Sequence, residues 1–104
     1  MNWKKSDNQQ LISAILALEN KEEAQFFLRD LMTAKEIDEL SYRLKAATML
    51  LKKTPYSVIE KETGLSSTTI ARVSKWLNGS SAGYKTIINR LHHHSSIQTR
   101  KGLS

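Results

Sequence analysis

A chain of 104 residues and 11.8 kDa, 39% hydrophobic, can build one compact domain, and with no cysteine it excludes a disulfide framework and thiolate metal sites. Sixteen Lys/Arg against ten Asp/Glu leave a net charge of +6 and a sequence pI near 9.7, and the excess is segregated: residues 1–52 hold eight of each sign, whereas 53–104 hold eight basic residues against Glu60 and Glu62 alone. A basic half of this kind favours a phosphate-bearing partner, and no apolar run approaches the roughly 20 residues that span a bilayer.

The charged start, Met1 to Ser6, is not followed by an uninterrupted apolar region, so a soluble, unprocessed, cytoplasmic protein with no membrane partner is expected. Leu11, Ile12, Ile15, Leu16 and Leu18 then predict a first helix from about Asp7. Phe26, Phe27, Leu28, Leu31 and Met32 predict a second, which Asn20 can cap. Thr33 and Glu36 form a capping box ahead of a third helix whose apolar residues Ile37, Leu40, Leu44, Ala47 and Leu51 recur at three- and four-residue steps, to about Lys52.

Two short helices pinned around a glycine follow. Thr54 is the expected N-cap of the first, with Pro55 at its first helical position and Val58 and Ile59 on its apolar side. Gly64 sits where the chain must leave that helix with a positive φ. Ser66 can cap the next, in which Ile70, Val73 and Leu77 fall three and four apart before Asn78-Gly79 closes it. Beyond Gly79, Tyr84, Ile87, Ile88 and Leu91 predict a final helix from about Ala82 to His93. Residues 95–104 offer nothing to bury and are expected to be an unstructured tail behind a single helical domain over 1–94.

The segment 54–79 has the spelling of a helix-turn-helix. Ile59, Leu65, Ile70 and Val73 are expected to pack its helices together. Ser66, Ser67, Thr68, Thr69, Arg72 and Lys75 are left on the outside, with Lys53, Ser57 and Lys61 at the preceding helix. Small hydroxyls at a helix start allow close approach to base edges, and a guanidinium can take guanine bidentately or hold phosphate. Lys53, Ser57 and Lys61 are expected to grip the backbone. The two leading helices carry more apolar surface than a lone reader of this size needs, which points to a second copy as its cover.

Other chemistries fare worse. His92, His93 and His94 are consecutive, so on a helix they point about 100° apart and cannot converge on one metal ion. Ser66 to Thr69 have neither a nearby histidine nor an acid to activate them, so no enzyme is expected. Trp76, at helical spacing, is expected in the core rather than stacked on bases.

From Leu31 to Asn78 the chain, with LMTAKEIDELSYRLKAATML and VIEKETGLSSTTIARVSKWLN, resembles the tryptophan repressor superfamily, and most of all its short members of unassigned ligand. The resemblance implies an all-α fold of about six helices, an interlocked homodimer, and operator DNA read by Pro55 to Thr63 and Ser67 to Asn78. It also implies a site for an amino acid corepressor, in which Arg43 and Arg72 fall on the arginines that hold the ligand's carboxylate and sandwich its ring, and Thr69 on another pocket position. Val73, however, stands where the tryptophan-binding members have glycine, and Trp76 where they have serine. A valine intrudes on the space of a flat indole and Trp76 fills much of the rest, so tryptophan is disfavoured and Arg43 is left to pair with a phosphate or carboxylate; no cofactor is expected, with another amino acid corepressor left open.

The sequence thus reads as a transcriptional repressor that binds double-stranded DNA as a homodimer. Two other readings fit the same residues. One is a helical module whose basic half docks an acidic protein; the other is a carboxylate sensor in which Arg43 and Arg72 shift the reader helices.

Overall fold

The computed structural model describes residues 1–103, with side chains described through His93; the side chain of His94 and those of the expected tail over 95–104 lie outside the described residues. Among the described residues there are six helices and no strand: α1 (Ser6–Leu16), α2 (Lys21–Leu31), α3 (Ala34–Leu51), α4 (Tyr56–Thr63), α5 (Ser67–Leu77) and α6 (Gly83–Leu103). They divide into two compact units, Met1–Ile37 and the chain from Asp38 on.

In the first unit local chemistry sets the boundaries. α1 ends at Leu16, so Leu18, expected on its apolar face, lies beyond it, with its N–H on the Ile15 carbonyl at 3.2 Å. The chain has to leave the helix there because Asn20 takes an extended conformation, φ −155° and ψ 173°, to cap α2. Its Oδ1 accepts the Glu23 N–H at 2.9 Å, and the Glu23 carboxylate reaches back to the Glu19 N–H at 3.0 Å. The capping box forms in both directions, Glu36 N–H to Thr33 Oγ1 at 3.1 Å and Thr33 N–H to Glu36 Oε1 at 3.0 Å. The bonds from the Thr33 backbone and then its hydroxyl hold the Glu36 carboxyl below its ordinary range. The box therefore contributes above that range and is lost as pH falls through it. Neither α1 nor α2 buries a residue, and Leu16 and Phe26 are 79% and 62% exposed.

In the second unit α3 runs to Leu51 and ends in a doubled turn. The Lys53 N–H bonds the Leu50 carbonyl at 2.9 Å and the Thr54 N–H that of Met49 at 3.0 Å, which places Lys53 at the left-handed position, φ 61°. A glycine would hold that position without strain, whereas a lysine costs about 1 kcal/mol. The same turn corrects the expected start of α4. The Thr54 N–H closes α3, and Pro55 is itself the cap residue of α4, at ψ 147° with no side-chain bond, its carbonyl accepting from Val58 and Ile59. Gly64 then ends α4 in the left-handed conformation, φ 73°, as expected.

Buried Thr63 fastens the turn that follows. Its Oγ1 donates to the Ile59 carbonyl at 2.7 Å and accepts from the Leu65 N–H at 3.2 Å, replacing the backbone partners that the break in the helix removes. α6 starts at Gly83 rather than Ala82 because Ala82 is left-handed, φ 55°. The helix runs past His93, where the sequence placed its end.

α5 carries the core on two sides. Ile70 packs with Ile59 and Ala46 against Met49, Leu50 and Leu65. Val73 and Leu77 pack with Ala47 and Ile88 against Leu50, Leu51 and Tyr84. Val73 therefore belongs not to the α4–α5 contact, as expected, but to the cluster that α6 closes; three residues beyond Ile70 it has rotated toward Ile88. Ile59, Ile70 and Val73 are fully buried, each worth about 1.5–3 kcal/mol in removed apolar surface. Val58, by contrast, stays 41% exposed, and Leu40 and Leu44 on the α3 stripe stay open as well.

Candidate nucleic-acid interface

Sealing Ile70, Val73 and Leu77 inward fixes what α5 turns outward. Thr68, Arg72 and Lys75 fall four and three residues apart, on one stripe, and all three are exposed, as is Ser67. Ser66 is the cap, with its Oγ accepting the Thr69 N–H at 3.2 Å and donating to Thr69 Oγ1 at 3.1 Å. Thr69 is half-buried and its hydroxyl is engaged with that cap, which leaves Ser67 and Thr68 as the open hydroxyls.

On α4, Ser57 and Lys61 sit four residues apart and exposed, one turn from each other on a single face. Lys53 is exposed in the α3–α4 turn. The ion pairs among the described residues are Arg43–Glu39 at 3.2 Å and Lys45–Glu62 at 3.6 Å, and neither takes Lys53, Lys61, Arg72 or Lys75. Those four cations have no acidic partner among the described residues. Lys45–Glu62 occupies one of the two acids in the basic half, and being half-exposed it adds at most about 1 kcal/mol.

Behind this surface Arg43 occupies a different environment. It is half-buried on α3, its Nη2 bonded to Glu39 one turn earlier, and its guanidinium carbon lies 6.0 Å from the centroid of the Trp76 ring. At that distance a cation over an indole contributes about 0.5 kcal/mol or somewhat more. Its Nε is buried with no hydrogen-bond partner. Trp76 is 46% exposed, so it is not a core residue of this chain. It borders an open groove of about 510 Å³ whose walls include Leu44, Tyr84 and Ile87. Burial pushes the Tyr84 hydroxyl up, and the charge of Arg43 partly offsets this.

Of the residues named from the sequence, Arg43 is thus set apart from the α4–α5 surface, and Thr69 is tied to the Ser66 cap. Sequence reasoning missed Glu39 and Tyr84. The Glu-to-Arg spacing of four was readable; Tyr84 was named only as an apolar residue of the last helix, and its place beside Trp76 is set by how α6 packs.

These elements define an all-helical protein built around a helix-turn-helix, with a basic outward face and an aromatic groove beside it. The family model of the Trp repressor protein matches residues 6–92, and the chain belongs to that family, which consists of regulators rather than enzymes. It is 42% identical over 82 residues to the uncharacterized protein YerC of Bacillus subtilis (strain 168), covering 79% of each chain. The crystal structure of a TrpR-like protein from Eubacterium eligens ATCC 27750 is 39% identical and superposes with a TM-score of 0.82, over 86% of this chain and 93% of that one. A crystal structure from Staphylococcus aureus, also 39% identical, gives 0.80 over 88% and 95%. No helix among the described residues is long and apolar enough to cross a membrane.

Proposed function

We propose that this protein is a cytoplasmic transcriptional repressor that binds specific double-stranded DNA as a homodimer through α4 and α5. The observation that carries the reading is the division of α5 itself: Ile70, Val73 and Leu77 are sealed while Ser67, Thr68, Arg72 and Lys75 stay open, with the cations outside any described ion pair. Membership of the Trp repressor family supports the same class. The second copy is supported by α1 and α2, which bury no residue fully within one chain although Leu16 and Phe26 are large and apolar. Two copies related by a two-fold axis can present two α5 helices to successive major grooves.

Ser67 and Thr68 approach base edges, Arg72 and Lys75 add base or backbone contacts, and Lys53, Ser57 and Lys61 hold phosphates. Binding measured on random-sequence duplexes at two salt concentrations separates these roles. Thr68→Ala is expected to relax sequence preference by about 1 kcal/mol at the affected position; Lys61→Ala is expected to weaken all sequences about equally and to reduce the salt slope by about one. An unchanged preference after Thr68→Ala removes the base contact.

Lys53 offers a further check. Lys53→Gly relieves the left-handed backbone and removes the cation, so thermal unfolding should show a gain of about 1 kcal/mol while DNA affinity drops. A variant that gains stability and keeps its affinity shows Lys53 to be no phosphate contact.

A further inference from the structure

We infer that this regulator takes no free aromatic amino acid as corepressor at Arg43, because the chain itself supplies the two groups that such a ligand would bring there: the Glu39 carboxylate and the Trp76 ring. The inference rests on the DNA-binding reading for its consequence, which is a reader helix held ready without a ligand.

A guanidinium that binds an aromatic amino acid needs an anion to pair with and a flat ring to lie over. Glu39, one turn earlier on α3, provides the anion at 3.2 Å, and the Trp76 indole provides the ring at 6.0 Å. Val73, on the same helix, is fully buried in the cluster with Leu77 and Ile88, so its side chain is held by packing and opens no space for a ring. A second ring placed over Arg43 where the indole now lies would have to displace Trp76 and break the cation–ring contact. Arg43 Nε adds a buried N–H without a partner, and the Nη2 that a carboxylate would have to share is already bonded to Glu39.

The contact also has a mechanical consequence. Trp76 sits on α5, Arg43 on α3, and Tyr84 and Ile87 on α6 line the groove beside the indole. The ring therefore ties the last turn of the reader helix to α3, at the place where an exchangeable ligand would otherwise make that link. Because the ring is covalently part of α5, the link is present at every ligand concentration.

The test uses the full chain, unfolded in guanidinium chloride and refolded so that nothing bound is carried over. Millimolar L-tryptophan, L-tyrosine or L-phenylalanine is titrated into it by calorimetry. Its affinity for duplex DNA is measured with and without the same compounds. No saturable heat is expected, and a change in affinity of less than about twofold, where a corepressor would raise it roughly 5- to 150-fold. Trp76→Ala is expected to lose on the order of tenfold in DNA affinity, and Trp76→Phe, which keeps a ring over Arg43, to recover most of it.

Saturable binding of any of the three amino acids, or a Trp76→Ala variant with undiminished DNA affinity, overturns the inference. If the chain binds no duplex at all, the DNA-binding reading fails, while the calorimetry still decides whether the site admits a ligand.

Discussion

Ile70→Ala should lower the stability of the chain by about 3 kcal/mol, a large share of the roughly 5–15 kcal/mol that holds a domain of this size together. Ile70 is fully buried where α3, α4 and α5 meet, against Ala46 and Ile59, and its neighbours cannot close the space it would leave. Ala46 is already the smallest side chain that keeps α3 helical there, and Ile59 is fixed by the turn that Thr63 and Gly64 lock behind it. The cavity therefore persists and adds its own penalty to the lost burial. Urea unfolding followed by circular dichroism gives the difference directly. Val58→Ala, on the same short helix but 41% exposed, serves as the control and should cost less than about 1 kcal/mol. Equal losses at the two positions would mean that the α4–α5 contact is not the packing centre described above.

The second large effect concerns recognition rather than folding. Arg72→Ala should weaken binding to the selected duplex by about 1–3 kcal/mol, roughly 5- to 150-fold, while leaving unfolding within about 0.5 kcal/mol of the parent. The asymmetry follows from position: Arg72 is exposed, outside the described ion pairs, and on the stripe with Thr68 and Lys75, so its removal opens no cavity and strands no partner. Arg72→Lys distinguishes the two contacts a guanidinium can make. An ammonium still neutralises a phosphate, so most of the affinity returns if the contact is to the backbone. It cannot reproduce the planar fork on guanine, so little returns if the contact is to a base. Loss of stability in step with loss of affinity would assign Arg72 a structural part instead.

The punctuation of the fold was legible because it is local. Asn20, the Thr33–Glu36 box, Gly64 and Ser66 each act within four residues, and each does in the structure what its chemistry allows in a peptide. The start of α4 was misread for the opposite reason. Thr54 and Pro55 have the spelling of a cap and first turn, yet Thr54 belongs to the turn that ends α3, its N–H on Met49, and the helix begins one residue later with Pro55 as cap. Nothing local announces that Lys53 takes the left-handed position that glycine usually fills, since lysine has no preference for it.

Packing was read less fully than punctuation. Spacing identified Ile59, Ile70, Val73 and Leu77, but spacing along one helix cannot say which neighbour each residue meets, and Val73 went to the α6 cluster. It also cannot say how far a stripe is covered. Leu40 and Leu44 continue the α3 pattern yet stay exposed, because the helices this chain places beside α3 cover only the part near Ala46 and Ala47. Around Trp76 the residues were named but their relation was not. The sequence and its family resemblance put Arg43 and Trp76 in one neighbourhood, while the Glu39 bond and the half-exposed setting of the ring come only with three helices in place.

The central claim is that α5 turns a sequence-reading face to duplex DNA in two symmetric copies. Selection of bound fragments from a random duplex library, using the full chain at moderate salt, tests it most directly. The expected result is an enriched site with two-fold symmetry, its half-sites centred about 34 Å, one helical turn, apart. Recovery of fragments with no common sequence, or of a site without that symmetry, would contradict it.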